Sequence, residues 1–522
     1  MTENEIFRLA KPKKKGFLHL LFSRFFVIVL LLLLQVVLLA GFYLWLNDYF
    51  SWFSVILWVF TAIMTIYLFN TDMDSSAKLT WMFLIALLPI PGAIMFWFTQ
   101  SNVGNRTLTK RVIELIDQTK GALRQEEETL SELRDDGSGT DDLCRYLNRT
   151  GCFPIYKNTK VTYYPIGEEK FRAMLEELKK AEEYIFLEYF IIEEGYMWSE
   201  ILKILVEKAQ AGVDVRVMYD GMCEISTLPN DYWKLLVKQG IKAKPFSPIK
   251  PFVSSHYNYR DHRKILVIDG KVAFNGGVNL ADEYINHIVR FGHWKDTALK
   301  LEGEAAKSFA LLFLQMWNVD EKEPSFAPYL EKNTSSPEDA SGYVMPYGDC
   351  PLDKDKVGEA VYMDMLNRSN SYVHIMTPYL ILDGELETAI KLAAERGIDV
   401  KMILPGIPDK KIAYALAKAH FSALINAGVK IYLYTPGFVH AKVFVSDDIK
   451  AVTGTINLDY RSLYHHFECA TYMYKTDCIP AIEADFQETL SKCSEVTRDT
   501  IKNDTLFYKL TGTLLRFIAP LM

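Results

Sequence analysis

Histidine is scarce in this chain, with ten in 522 residues. The seven cysteines (Cys144, Cys152, Cys223, Cys350, Cys469, Cys478 and Cys493) form no C-x-x-C pair and no metal-like spacing. An odd, scattered set reads as free thiols and points to a reducing compartment. His293, His465 and His466 add no Cys/His ligand spacing, so no metal is expected. No Walker-type loop is present, so no nucleotide is called for. A basic excess is also missing. The net charge is −7, which excludes polyanion binding by the chain as a whole, nucleic acid included.

Long hydrophobic runs are present, and they crowd the N-terminus. A basic leader (Arg8, Lys11, Lys13, Lys14, Lys15) precedes three apolar segments, Phe25 to Leu46, Trp52 to Phe69 and Leu79 to Phe98. The first and third are about one bilayer long, and the third carries Pro89, Pro91 and Gly92. They are too long and too repeated for a cleaved signal peptide. The expectation is a multi-pass anchor over 1–105, with two or three apolar helices in the cell membrane. Basic residues on both flanks (Arg106, Lys110, Arg111 on the far side) favour two effective crossings and a cytoplasmic body. Three crossings would put that body outside. Residues 106–150 read as a charged helical linker with a flexible tip at D-D-G-S-G-T-D-D, holding the body above the bilayer.

Beyond this linker the chain repeats itself. Tyr184 to Ile192 reads as a strand, Ser199 to Ala211 as a helix, and the run from Gly212 as a second strand. Tyr372 to Leu382, Leu386 to Glu395 and the run from Gly397 repeat that order, and G-I-K-A-K-P-F matches G-V-K-I-Y-L-Y. The period of roughly 180 residues is too long for a solenoid. Two α/β halves are expected, 151–323 and 342–500, joined by a Pro/Ser-rich link over 324–341. Residues 501–522 read as an apolar helix, docked on the body or lying at a membrane interface.

Each half contains His-x-Lys-x-x-x-x-Asp followed, after a six-residue gap, by G-x-x-N. These are His262, Lys264, Asp269 and Asn279, then His440, Lys442, Asp447 and Asn457. A strand after each His would hold Lys on the same face as His. The two Asp fall at odd offsets, at the strand ends, and read more as structural or turn-forming than as reactants. Two imidazoles and two ammonium groups suit a phosphodiester: nucleophile, proton donor and charge around phosphorus. The Asn amides are candidate donors to phosphate oxygens.

These motifs resemble those of the phospholipase D superfamily, and in particular the bacterial cardiolipin synthases. The resemblance is carried by H-R-K-I-L-V-I-D-G-K-V-A-F-N-G-G-V-N-L, L-P-G-I-P-D-K-K, P-G-F-V-H-A-K-V-F-V-S-D-D and G-T-I-N-L-D-Y-R-S-L-Y-H-H-F-E. Gly277 stands where many members have Ser, a mark of the synthase branch. The resemblance implies an α/β fold in which two pseudo-symmetric halves share one active site. His262 would form a phosphohistidine and His440 would be the acid/base, although the residues alone leave that order open. Asp296 and Glu468 would each orient the histidine of their own half. The implied reaction transfers a phosphatidyl group between two phosphatidylglycerols, giving cardiolipin and glycerol, with membrane lipids as partners and no cofactor. The rival within the superfamily is a membrane-bound phosphodiesterase that gives the intermediate to water.

Overall fold

A computed structural model describes residues 53–100, 106–248, 259–331 and 337–521, with Val37, Gly41, Leu44 and Trp45. Backbone contacts separate a body, residues 110–248 and 259–512, from residues 53–109 and 513–521.

In the body the first half supplies β1 (Thr159–Tyr164), β2 (Tyr184–Tyr189), β3 (Asp214–Asp220), β4 (Lys242–Phe246), β5 (Arg260–Asp261), β6 (Lys264–Ile268), β7 (Val272–Gly276), β8 (His293–Lys295) and β9 (Ala298–Gly303). Seven of them form a sheet in the order β1-β9-β7-β6-β2-β3-β4. β2, β3 and β4 run parallel, while β6, β7, β9 and β1 are antiparallel to their neighbours. A parallel pair needs a crossover, and the helix Tyr196–Gln210 supplies it. Trp198, Ile201, Leu202 and Leu205, spaced i, i+3, i+4, i+7, are all buried. β2 is buried at every position, as a strand covered on both faces must be.

The second half supplies β10 (Tyr343–Asp349), β11 (Tyr372–Met376), β12 (Asp399–Pro405), β13 (Lys430–Tyr434), β14 (Gly437–Val439), β15 (Val443–Ser446), β16 (Lys450–Gly454), β17 (His466–Tyr474) and β18 (Cys493–Glu495). Their sheet runs β10-β17-β16-β15-β11-β12-β13-β18, which repeats the first order position for position and adds β18 at the edge. The helix Ala306–Trp317 is buried along its whole length and touches strands of both sheets. Its Phe313 stacks on Phe186 at 4.5 Å.

Two short pairings leave this scheme. β5 pairs with the start of β17, and β8 pairs with β14. Each joins one half to the other.

The stretch read as a charged helical linker with a flexible tip is built into the body from Lys110 onward. It forms the helices Arg106–Gln118, Glu127–Asp135 and Thr140–Gly151. Val112, Leu115, Leu133, Leu143 and Leu147 are buried, and most of the charges that suggested a linker lie on outward faces, Asp141 being buried. Asp136 accepts from Tyr474 and Lys475, tying the glycine-rich tip to β17.

In the other unit the first apolar segment lies largely outside the described residues. The second is a helix, α1 (Phe53–Phe69), of 17 residues. The third is not one helix. It breaks at Leu88 into α2 (Ser75–Leu87) and α3 (Pro89–Gln100). Pro89 supplies no amide to continue α2, and its fixed φ suits the first turn of α3. Gly92 lies so close to α2 that a Cβ there would meet the Leu84 carbonyl oxygen at 2.9 Å. Among the described residues no helix is long and apolar enough to cross a membrane.

Candidate active site

The crossed pairings bring the two histidine motifs together. The His262 amide follows β5 and donates to the Phe467 carbonyl at 2.9 Å. The next residue, Glu468, takes the His262 ring: Nδ1 lies 2.9 Å from both Oε1 and Oε2. The His440 amide follows β14 and donates to the Lys295 carbonyl at 2.7 Å. The next residue, Asp296, takes the His440 ring, Nδ1 to Oδ2 at 2.6 Å. The sequence reading paired each carboxylate with the histidine of its own half, and the structure corrects this. Each carboxylate serves the opposite half, because each histidine stands just ahead of its strand, on a segment hydrogen-bonded across the divide.

A carboxylate on Nδ1 keeps the proton there and leaves Nε2 with a free lone pair. Burial pushes the His262 pKa well below its usual value, with Lys264, Lys442 and His440 adding to it. Burial and Lys442 lower His440 to about 4, against the opposing pull of Asp296. Burial also lowers Lys264 to about 8 and Lys442 to about 7. The side chains of the site are therefore short of negative charge, which a phosphate would supply. Lys264 Nζ donates to the His262 carbonyl at 2.5 Å, and Lys442 Nζ does the same to His440. Each ammonium keeps two further N–H groups for a ligand.

The two carboxylates are not equally supported. Glu468 also accepts from Ser462 Oγ at 2.6 Å and from Thr455 Oγ1. At the position matching Thr455 stands Gly277, where even a Cβ would meet Asp296 Oδ1 at 2.1 Å. Asp296 receives the Thr297 amide instead, at 2.9 Å. Helix side chains hold both G-x-x-N loops by one carbonyl each. Lys170 Nζ donates to Val278 at 3.1 Å, and Tyr362 donates to Ile456 at 2.9 Å. Neither anchor was singled out from the sequence, since nothing marks a Lys or Tyr in an amphipathic helix as loop-bound.

Asn279 reaches the site through Tyr284, whose ring is 5.3 Å from His440, and its amide is already occupied. Its Oδ1 accepts from the Ile191 amide at 3.1 Å and its Nδ2 donates to Tyr284 at 2.8 Å, leaving one N–H. Asn457 Oδ1 is buried without a partner among the described residues. Asp269 and Asp447 are not in the site. They adopt left-handed backbone at φ +52° and +55°. Asp269 accepts the amides of Glu182, Glu183 and Tyr184, and Asp447 those of Asn370, Ser371 and Tyr372. They clamp the starts of β2 and β11, about 16 Å along the strand from the lysines.

His466, set aside from the sequence for want of ligand spacing, lies against His262 with ring centroids 5.2 Å apart. One ligand atom each from His262, His466 and Glu468 falls within 4.8 Å of the others. Glu468 is already taken by His262, Ser462 and Thr455, and Lys264 and Lys442 act on the same pocket, so we read this cluster as the shell of His262. His466 Nδ1 lies 3.5 Å from Glu468 Oε1, and its Nε2 has no hydrogen-bond partner among the described residues. Aromatic rings close the rest: Phe190 is 4.8 Å from His262, with Tyr284 and Trp294 at 5.3 and 5.5 Å from His440.

Comparison with known proteins agrees with this architecture. A family model described as "Cardiolipin synthase, PLD-like domain" matches residues 174–317 and 362–490, one stretch in each half. A cardiolipin synthase of Halalkalibacterium halodurans is 32% identical over 93% of this chain and 98% of its own length. An uncharacterized protein of Streptococcus mutans is 59% identical over 88% of this chain and 99% of its own. Among solved structures, phosphatidylserine synthase of Haemophilus influenzae matches with a TM-score of 0.56 at 15% identity, covering 73% of this chain and 97% of its own; this likeness concerns the fold alone. With both halves matched and the relatives covered almost end to end, the chain belongs to the cardiolipin synthase family of phospholipase D-like enzymes.

Proposed function

We propose that this protein is a cardiolipin synthase that moves a phosphatidyl group from one phosphatidylglycerol to another through a phosphohistidine. His262 Nε2 attacks phosphorus, and the P–O bond to the departing glycerol breaks. His440, taken into its protonated form as the anionic phosphate binds beside it, gives that oxygen the proton from Nε2. A hydroxyl of the second phosphatidylglycerol then returns a proton to His440 and attacks phosphorus, and the P–N bond breaks. Cardiolipin leaves and His262 is restored. Lys264 and Lys442 hold the phosphate, with the remaining Asn279 N–H and the Asn457 side chain as further contacts. The phosphoryl bond is kept in the intermediate, so the scheme needs no nucleotide and no metal.

One observation carries this reading. The crossed β5/β17 and β8/β14 pairings give two imidazoles, from opposite halves, the same carboxylate-backed geometry. The fuller support of Glu468 favours His262 as the nucleophile, which must hold one orientation while bonded to phosphorus. Transfer also requires water to be kept off the intermediate. Both histidines are 6% exposed and enclosed by Phe190, Tyr284 and Trp294.

We further place the apolar unit in the cell membrane as a multi-pass anchor, with the body on the cytoplasmic side. In support, α1 exposes Val55, Ile56, Trp58, Val59, Ile63, Ile66, Tyr67 and Phe69 around its circumference, as a lipid-facing helix would. The basic leader favours the inner face.

The test is the purified full-length protein in bilayers with phosphatidylglycerol as the sole phospholipid. Cardiolipin and free glycerol in equal amounts are expected. Phosphatidic acid as the only new lipid would replace this reading with hydrolysis.

A further inference from the structure

Most large apolar side chains of the body are buried, and the exposed ones are unevenly spread. Nine are exposed among its described residues, and five of these fall on touching segments. Ile288 and Val289 are 54% and 75% exposed in the turn before β8. Ile407 and Ile412 are 41% and 50% exposed in the segment after β12. Tyr196 stacks on His287 at 4.7 Å, beside the first turn. The two segments meet where a Cβ on Gly292 would lie 3.1 Å from Ile407 Cδ1, and the Ile407 amide donates to Gly437.

Charge at these tips is mainly positive. Arg290, Lys410 and Lys411 are exposed. Of the acids beside them, Glu283 is buried and paired with Arg290 at 2.8 Å, and Asp409 accepts from Tyr379 at 2.6 Å. Aliphatic tips ringed by cations are the pattern of a surface that dips into an anionic bilayer interface.

The position is as informative as the chemistry. The turn holding Ile288 and Val289 leads into the start of β8, and Ile407 is bonded to the start of β14. Asp296 and His440 follow the far ends of the same two strands. Three residues of strand separate the tips from the reacting groups, about 10 Å. Aromatic rings line that distance. Phe291 is 6.2 Å from Phe438, Phe438 is 4.9 Å from Trp294, and Trp294 is 5.5 Å from His440. The headgroup layer of one leaflet is roughly 5–8 Å deep. Tips seated at its base would bring lipid phosphates close to His440, with the rings accepting the glycerol backbone and first acyl carbons.

We propose that residues 287–291 and 407–412 form a docking surface for an anionic bilayer, through which lipid reaches the site. This rests on the reading of the reaction as phosphatidyl transfer. It is separate from the N-terminal anchor, because it sits on the body.

Two measurements on the full-length protein in nanodiscs containing phosphatidylglycerol test it. First, Val289→Cys carries an environment-sensitive fluorophore. Quenching by lipids bearing a nitroxide on the acyl chain is expected. Quenching only by aqueous iodide, or excimer formation between pyrene-labelled copies when the protein is moved to detergent, would overturn the proposal, the latter in favour of a second copy of the chain. This readout needs no catalysis, so it stands apart from failure of the reaction itself. Second, Ile288→Ser combined with Val289→Ser is compared with wild type on bilayers and on short-chain phosphatidylglycerol dispersed below its micelle concentration. Roughly a tenfold rise in the bilayer KM is expected, from weaker apolar insertion, with turnover of the dispersed lipid unchanged. Equal loss on both substrates, or loss on neither, would reject the docking role.

Discussion

At the scale of single residues, the proposed reaction gives the lysines of the site most of the burden of holding an anion. Burial lowers Lys264 to about 8 and Lys442 to about 7, so both are charged below neutrality and both lose their protons as pH rises past 8. Anion binding should follow the same direction. Sulfate, which does not titrate in this range, should inhibit competitively with an inhibition constant that rises between pH 6.5 and 9. The rise should be about tenfold for each charge-assisted hydrogen bond that deprotonation removes. An inhibition constant flat across that range would show that the lysines stay charged or do not hold the anion. Legibility at this scale was uneven. His262, Lys264, His440 and Lys442 stood out because a rare residue recurred with the same neighbours. Asp269 and Asp447 recur just as strictly, yet they close turns by accepting three amides each. A repeated motif marks whatever the fold needs twice, whether chemical or mechanical. Asn279 shows the same limit, since its engagement by Ile191 and Tyr284 depends on chain segments far apart in sequence.

At the scale of elements, the decisive feature is a pair of short strands that cross between halves. β5 and β14 are two and three residues long, too brief to leave a hydrophobic pattern. That is why the sequence assigned Asp296 and Glu468 to the histidines of their own halves. The crossing has a kinetic consequence. If Glu468 orients the nucleophile, Glu468→Gln should slow formation of the covalent intermediate whatever the leaving group. If Asp296 supports the acid, Asp296→Asn should be relieved by a substrate whose leaving group needs no proton, such as phosphatidyl-p-nitrophenol. On phosphatidylglycerol each change should cost on the order of 10²–10⁴ in turnover. Burst kinetics with both substrates would separate the two. Rescue of Glu468→Gln in place of Asp296→Asn would mean that His440 is the nucleophile and His262 the acid. The long elements were far more legible. β2, β3 and the helix between them, with their repeats in the second half, lie within a few residues of where periodicity put them, except that β11 ends at Met376, six residues short of the expected Leu382. The helices before β1 were expected as helices, but their docking on the body was not, because charged residues masked the apolar stripe that buries them.

At the scale of the whole molecule, two α/β halves of one chain bring their histidine motifs together, and the proposed reaction makes that meeting point a single catalytic centre that neither half could make alone. Each half gives one histidine and the carboxylate for the other's histidine. Duplication was readable from the repeated order of strands and motifs; the exchange between the copies was not, since it lives in tertiary pairing. The central claim is that one of these histidines carries the lipid. Its most direct test is a single turnover of the full-length protein with phosphatidylglycerol labelled in the phosphatidyl phosphorus, quenched and digested under alkaline conditions that preserve phosphohistidine. Label is expected on the peptide containing His262. It should accumulate when a leaving group needing no acid is used with His440→Gln, and disappear with His262→Gln. Label on His440 would reverse the roles, and cardiolipin formation without any labelled histidine would contradict the covalent account.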